Sequence, residues 1–298
     1  MKIFYSKVLL TLVISLASIS ASFAQTLLTG FMQGKKGGYV TFSGNHEHYS
    51  SAFYYPEKID EIPVFKEISV NTFNILGTYG FTDRFEMLVN IPFVQTVGSP
   101  DAGVLEGLGY TNQQDGAQDI SVYGKYQFAK VGKVAFQGAA GFSTPLSKYY
   151  IEPNFQSLLS IGDRATTYNG ILLGHFKDER GFFITGQLGY SFRTTAVPDA
   201  VLSELKIGIS RPRFYLSGQV GNQTSTSGTD ILRPGFTGSF VETRVNYTKV
   251  GGTIYTPLDG NLGLSIGGGG IVGGRNVGQS YYGMAGLTYN FLYHPLVK

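Results

Sequence analysis

The chain has 298 residues and a formal net charge of +3, from 23 Lys and Arg against 20 Asp and Glu. This near balance gives no argument for a nucleic-acid partner. The absence of cysteine excludes disulfides, thiolate metal sites, a cysteine nucleophile and the acylated cysteine of a lipoprotein. Charged residues make up only 14%, against about 25% in soluble proteins, while glycines number 41 and aromatics reach 14% without tryptophan. This composition disfavours a soluble protein.

Residues 1–24 have the layout of a secretory signal peptide. Two lysines precede an apolar run over residues 8–19, and small residues at positions 22 and 24 predict cleavage before Gln25. Cleavage would lower the net charge from +3 to +1, because two lysines and no acids are lost. The apolar run is too short for a transmembrane helix, and no later stretch reaches about 18 apolar residues. We therefore expect residues 25–298 to form a single domain without a helical anchor.

Turn residues and period-2 alternation divide the rest of the chain into twelve predicted strands. The short connections centre on residues 82–84, 130–133, 178–180, 211–213 and 259–260. The long connections run roughly over residues 46–65, 97–115, 147–164, 194–199, 223–238 and 273–279. Outer-membrane barrels have an even strand number, short periplasmic turns and longer external loops. The alternation of short and long connections therefore predicts a transmembrane antiparallel β-barrel of about 12 strands, with Gln25 and Lys298 both on the periplasmic side.

The predicted strands have one apolar and one polar face. Over residues 119–128, Ile120, Val122 and Tyr126 alternate with polar residues, and the segments 85–93 and 182–193 behave in the same way. Two places break the pattern: Ile75 and Leu76 are apolar on opposite phases, and residues 249–252 lose the phase of their strand. A β-bulge or an error in the assigned register would explain either break.

Aromatic residues of the outward phase flank nearly every short turn. They are Phe81, Phe85, Phe128, Phe136, Phe176, Phe182, Tyr255, Tyr289 and Phe291. Aromatic rings collect at the water–lipid boundary of spanning barrels. A soluble sandwich has the same alternation, but this placement of rings favours a membrane barrel.

Three stretches resemble the outer-membrane family named for the meta-pathway of phenol degradation, a branch of the hydrocarbon-transporter and porin-like barrels. They are YGFTDRF running to NIPF at 79–93, GAQDI running to KYQF at 116–128, and GFSTPL at 141–146. The resemblance implies passage of small solutes, aromatic or apolar ones among them, and transfers no substrate residues. The fatty-acid transporters that this family distantly resembles have an N-terminal plug. Here strand-like sequence starts within about ten residues of Gln25, which argues against a plug of that kind.

If the apolar phase faces lipid, the lumen receives four acids and five bases. These candidate lumen residues are Glu86, Asp119, Lys125, Arg193, Glu204, Lys206, Arg213, Glu242 and Arg244. Buried charges are costly unless paired, so one interpretation is a rigid lumen held by mutual salt bridges. The other is selection of a solute, because charge at a constriction sets selectivity. The sequence leaves both open.

Other candidate sites are weaker. His46 and His48 share a strand face and could present two metal ligands, but no third ligand is fixed by spacing. His175 falls in the inward phase near a short turn, where a hydrogen-bonded lumen residue is the simpler interpretation. The glycine run at 267–270 sits in a strand pattern without a following helix, so it does not indicate a phosphate loop. We expect no nucleophile elbow among the serines.

We therefore predict a passive channel for small molecules in the bacterial outer membrane, surrounded by lipid and inserted by the barrel-assembly machinery. Twelve strands imply a narrow or partly blocked interior, and passive diffusion needs no cofactor. The alternative is a structural or adhesive barrel that displays its external loops. An outer-membrane hydrolase is a third possibility, but catalysis is not expected, because it needs a nucleophile, a histidine and an orienting group together.

Overall fold

The computed structural model describes residues 27–55, 57–62, 65–99, 112–149, 159–231, 233–235, 240–258 and 261–291. The predicted signal peptide, the turn at 259–260 and both termini lie outside these residues. No helix within the described ranges is long and apolar enough to span a membrane.

Twelve long strands form the wall. They are β1 (Gly38–Tyr49), β4 (Glu67–Gly80), β5 (Phe85–Ser99), β7 (Ile120–Val131), β8 (Val134–Thr144), β9 (Thr167–Lys177), β10 (Phe182–Arg193), β11 (Ala200–Arg211), β12 (Phe214–Ser225), β13 (Asn246–Pro257), β14 (Leu262–Arg275) and β16 (Tyr281–Phe291). Four short strands lie in the long connections: β2 (Ala52–Phe53), β3 (Lys58–Ile59), β6 (Gln113–Ala117) and β15 (Val277–Gly278). A 3₁₀ turn covers Phe240–Glu242.

The wall is a closed antiparallel barrel. Each long strand pairs with the next, and β1 closes the ring by pairing with β16 from Gly38 opposite Phe291 to His48 opposite Tyr281. The prediction of a twelve-stranded antiparallel barrel is confirmed. All long loops lie at one end, and the short turns lie at the other together with the start of β1 and the end of β16. We call these the long-loop end and the short-turn end.

The two faces of the wall differ as alternation predicts. Leu172, Leu188 and Phe192 face outward with half or more of their surface exposed, whereas Thr185 and Gln187 on the inner face are buried. Burying polar and exposing apolar side chains inverts the rule for soluble proteins and suits a wall surrounded by lipid.

The aromatic residues at the short turns mostly confirm the prediction. Phe81, Phe128 and Phe136 are each at least two-fifths exposed on the outer face. Tyr255 is the exception: the prediction that it faces outward is wrong. It pairs with Ser265, which is buried on the inner face, and its hydroxyl accepts a hydrogen bond from Asn290 at 3.1 Å.

Candidate channel lumen

A segment formed by residues 27–37 lies inside the barrel at the short-turn end; we call it the N-terminal segment. It turns into β1 at Gly34–Gly37, where Lys36 N donates to Gly80 O at 2.7 Å and Gly37 N to Gly34 O at 3.1 Å. Too short to resemble the plug of the fatty-acid transporters, it still occupies the lumen. The sequence argued only against a plug of that kind and did not predict this shorter occupant of the lumen.

The N-terminal segment is held by a buried ion pair. Lys125 Nζ contacts Glu86 Oε1 at 2.8 Å, and both side chains are almost fully buried. Lys125 also donates to the carbonyl oxygens of Thr29 at 2.5 Å and Phe31 at 2.8 Å. Glu86 Oε2 accepts the backbone N–H of Gln33 at 2.8 Å. The ion pair therefore satisfies backbone groups of the segment that have no strand partner.

Two glutamines of the wall add further bonds to the segment. Gln137 Nε2 donates to Gly30 O at 2.6 Å, and Gln187 Nε2 donates to Leu28 O at 3.2 Å. Both glutamines are buried. Long amide side chains on the inner face thus replace the ladder bonds that an extended chain would make in a sheet.

Apolar contacts complete the docking. Leu28 is 2% exposed and packs in a cluster with Leu88, Ile171 and Leu173, against which Leu76 also packs. The phase break at Ile75 and Leu76 therefore has a structural reason other than a bulge. The register of β4 is continuous, Ile75 faces outward, and Leu76 faces the lumen, where it packs against this cluster.

Phe31 and Gly30 fit closely against the wall. The ring of Phe31 lies 4.6 Å from His175 and 5.1 Å from Phe183, both edge to face. His175 is buried and hydrogen-bonds Thr185 Oγ1 at 2.8 Å, which confirms it as an inward, hydrogen-bonded residue. A Cβ added at Gly30 would lie 2.2 Å from His175 Nδ1. Only glycine fits this position without a shift of the ring.

Beyond the N-terminal segment, toward the long-loop end, the lumen contains a central cavity of about 490 Å³. Leu27, Leu28 and Thr29 form its floor. Most of the residues that line it are polar, with asparagine, glutamine, serine and tyrosine side chains from most strands, and leucines contribute apolar surface. Cavities of this size hold small molecules in other proteins. The barrel therefore encloses a cavity with many polar side chains inside a wall whose outer face is apolar.

Several long loops contact one another at the long-loop end. We call the region formed by β2, β3, β15 and the pair between Asp230 and Arg275 the lid. β2 pairs with β3 and with β15, so the first and last long connections share a small sheet. Arg275 Nε donates to Asp230 Oδ1 at 2.7 Å, and its Nη2 forms an ion pair with Oδ2. Its guanidinium also lies 3.7 Å from the centroid of the Tyr55 ring. The hydrogen bonds from Arg275 hold the pKa of Asp230 below its usual value, despite the opposing effect of partial burial.

Six of the nine predicted lumen residues lie inside the barrel. Asp119, Arg193 and Lys206 line the central cavity, and Glu204 is buried beside Lys206 with Oε1 3.3 Å from Nζ. Glu86 and Lys125 form the ion pair under the N-terminal segment. Asp119 forms no ion pair with the bases that the structure describes but accepts a hydrogen bond from the Tyr149 hydroxyl at 3.1 Å.

The prediction that the other three residues line the lumen from a strand is wrong, because all three lie outside the strands. Arg213 is exposed in the turn before β12, because that strand begins only at Phe214. Glu242 and Arg244 lie in the connection between β12 and β13, where a 3₁₀ turn replaces the expected start of the strand. Arg244 Nε donates to Ser227 O at 3.3 Å within that connection. The period-2 pattern had placed the starts of β12 and β13 too early in the chain.

Lys249 is a lumen residue that was not among the predicted ones. It is 7% exposed, lines the central cavity and lies with Nζ 4.1 Å from the centroid of the Tyr282 ring. The predicted irregularity near residue 249 is present, because the register between β13 and β14 shifts between Thr248 and Lys249. The partners of these two residues are Gly273 and Ile271, so the extra residue is Val272 of β14. β13 itself alternates regularly, a signal that could have assigned Lys249 to the lumen.

The remaining candidates have structural surroundings. His46 and His48 share the outward face of β1 and hydrogen-bond Asn71 at 2.8 Å and Ser69 at 3.3 Å. Over the described ranges, no three metal-ligating side chains form a group. The expectation of no elbow spacing is wrong, since residues 263–267 read GLSIG. They lie within β14, however, where Ser265 donates to Gly286 O at 3.2 Å, whereas an elbow needs a strand-to-helix turn.

The fold resembles that of solved outer-membrane channels. An outer-membrane channel from Pseudomonas putida F1 matches with a TM-score of 0.71 at 12% identity, over 89% of this chain and 100% of that one. The KdgM porin, solved in complex with disordered oligogalacturonate, matches with a TM-score of 0.50 at 9% identity, over 84% of this chain and 99% of the porin. No family model and no curated protein match the sequence. Identities this low show a shared fold, that of an outer-membrane β-barrel.

Proposed function

We propose that the chain is a passive diffusion channel of the bacterial outer membrane, with the short-turn end in the periplasm. The observation that carries this proposal is the central cavity of about 490 Å³, polar inside a barrel whose outer face is apolar. A barrel built only as a scaffold gains nothing from a hydrated interior of this size. The proposed function includes no catalysis. Outer-membrane lipid would surround the wall, and the barrel-assembly machinery would be the partner that inserts the protein.

The lining favours polar solutes. Asparagine, glutamine, serine and tyrosine side chains offer donors and acceptors to a hydrated molecule. The family resemblance instead implies aromatic or apolar solutes, which the tyrosine rings and the leucines of the same lining would contact. Uptake of a small polyol and of a small aromatic hydrocarbon separates the two classes when each is compared with protein-free liposomes, because the hydrocarbon crosses lipid unaided. We expect the protein to accelerate entry of the polyol more than entry of the hydrocarbon.

Single-channel recording in a planar bilayer tests the proposal directly. Purified protein should give discrete current steps, and deletion of residues 27–33 should enlarge them, because the N-terminal segment narrows the short-turn end. A barrel that conducts no ions and admits no solute, with or without these residues, would refute the proposal. Heat-modifiable migration on a gel checks separately that each variant is folded.

A second candidate function is display of the long loops for adhesion or structure. The lid supports it, because the small sheet and the pair between Arg275 and Asp230 give these loops a fixed shape. Deleting residues of the connection between β12 and β13 separates the two functions. A channel should conduct as well or better, whereas an adhesive barrel should lose cell attachment.

A further inference from the structure

Three bases line one side of the lumen at successive levels; we call them the basic track. Arg193 of β10 lies nearest the long-loop end, Lys249 of β13 follows, and Lys206 of β11 lies deepest. The register gives this order: Gln223, which accepts from Arg193, pairs with Tyr247, while Lys206 pairs with Gln219 and Gln219 with Gly251. Inward positions on one strand repeat about every 7 Å. A passing solute therefore meets one base after another.

The side chains of two of these bases form no ion pair within the described ranges. The Arg193 guanidinium donates to Pro198 O at 3.0 Å and to Gln223 Oε1 at 3.1 Å, both uncharged acceptors, while its backbone N–H donates to Asp199 Oδ1 at 2.8 Å. Lys249 Nζ lies over the ring of Tyr282. The described ion pairs include neither residue. Lys249 is buried and Arg193 half-buried. Because a buried cation without a counter-charge is costly, an anion that reaches Lys249 is stabilised there.

The acids near the basic track form no ion pair with Arg193 or Lys249 within the described ranges. Lys206 is paired with Glu204 at 3.3 Å, so it contributes less than the other two. The charge of Glu47, on β1, acts on Lys249 across two intervening strands but forms no ion pair with it in the described structure. Glu204 and Glu47 therefore do not engage the side-chain donors of Arg193 and Lys249, which face the cavity or neutral groups.

The two acids that line the cavity differ in their distance from the basic track. Asp119 precedes β7, which is separated from β13 by five strands on either side of the ring. Asp163 lies in the connection before β9, the neighbour of the strand that carries Arg193, and lines the same cavity. Lys249 on β13 is therefore the base that faces Asp119 across the lumen. An anion is drawn to the side of Lys249, and hydrogen-bond donors on the same molecule are drawn to the side of Asp119.

We propose that the basic track binds the carboxylate group of small organic anions as they pass, so that the channel prefers hydroxylated carboxylates to uncharged polyols. Arg193 offers a planar pair of donors suited to a carboxylate. Lys249 offers a point charge one level deeper. Gln223 is a positioning residue, because its carbonyl oxygen accepts from both Arg193 and the Tyr247 hydroxyl. This inference rests on the proposed channel function and gives it a substrate class.

The test is paired uptake of gluconate and sorbitol into proteoliposomes, since both are six-carbon chains and only gluconate is charged. The wild-type protein should favour gluconate by about tenfold, the size of one charge-assisted hydrogen bond. Lys249→Gln and Arg193→Gln should each lower that ratio severalfold with sorbitol uptake little changed. Lys249→Arg should keep it. Lys130→Gln, which removes the same charge from an exposed position at the end of β7, should leave the ratio unchanged.

Each outcome decides one point. Equal uptake of gluconate and sorbitol by the wild-type protein overturns the carboxylate site and leaves the channel standing. No uptake of either solute by protein that shows heat-modifiable migration overturns the channel itself. A loss of preference that Lys130→Gln reproduces would assign the effect to net charge and also overturn the site.

Discussion

Gly30 is the position where a single added methyl group should open the channel. Its Cβ in Gly30→Ala would lie 2.2 Å from His175 Nδ1 and 2.4 Å from Cγ, against about 3.4 Å for ordinary contact. The ring cannot move aside freely, because it hydrogen-bonds Thr185 and lies between Phe31 and Phe183. The clash must therefore displace the N-terminal segment.

The expected size of the effect follows from the packing. Overpacking by one methyl group costs about 1–3 kcal/mol, which shifts the ratio of docked to undocked segment roughly 5- to 150-fold. Single-channel recording should show a larger conductance or frequent transitions to it, approaching the level reached when residues 27–33 are deleted. The measured quantity is the fraction of time spent at that level.

Gly174→Ala is the matched control. Gly174 precedes His175 on β9, and a Cβ there would meet nothing within 4 Å, so its conductance should equal that of the wild type. If Gly30→Ala also conducts like the wild type while the deletion conducts more, the segment tolerates the methyl group and the clash argument is refuted.

Three further predictions follow from the same structure. Lys125→Met should lower the free energy of unfolding in urea by about 3–5 kcal/mol because it leaves Glu86 buried and unpaired, whereas the double change with Glu86→Leu should cost less. Leu188→Arg, on the lipid face, should destabilise the barrel by about 2–4 kcal/mol in a lipid-vesicle unfolding assay; an unchanged stability would argue against membrane burial of this face. Since the pKa of Asp230 is lowered, its pair with Arg275 stabilises the lid fully above about pH 4, the ordinary aspartate value, and is lost only as pH falls through the lower folded value; protease cleavage of the long loops should therefore stay constant from about pH 5 to 8, and Asp230→Asn should raise it.

The wall of the barrel could be predicted because its signals are local. Alternation within one strand decides which side chains face lipid, and connection length decides the end at which a loop lies. Phe182, Leu188 and Phe192 show the outcome, since all three lie on the outer face as their phase predicts. Neither signal needs knowledge of a distant residue.

Positions near strand ends were harder to predict. Arg213, Glu242 and Arg244 have the phase of lumen residues, but β12 and β13 begin after them. Period-2 spacing says which face a residue would take in a strand and does not say where that strand begins. The 3₁₀ turn at Phe240–Glu242 has no period-2 signature that could have marked the boundary.

The contents of the lumen were hardest to predict, because its contacts join residues far apart in the chain. In the sequence alone, Leu76 looks like an apolar residue on the polar face of its strand. In the structure it packs against the apolar cluster that contains Leu28 and docks the N-terminal segment. An apolar side chain on the inner face has a cost in a water-filled lumen unless something covers it. In a strand whose alternation is otherwise regular, such a residue therefore indicates an occupant of the lumen. Here the occupant is the N-terminal segment, residues 27–37, which directly precedes β1.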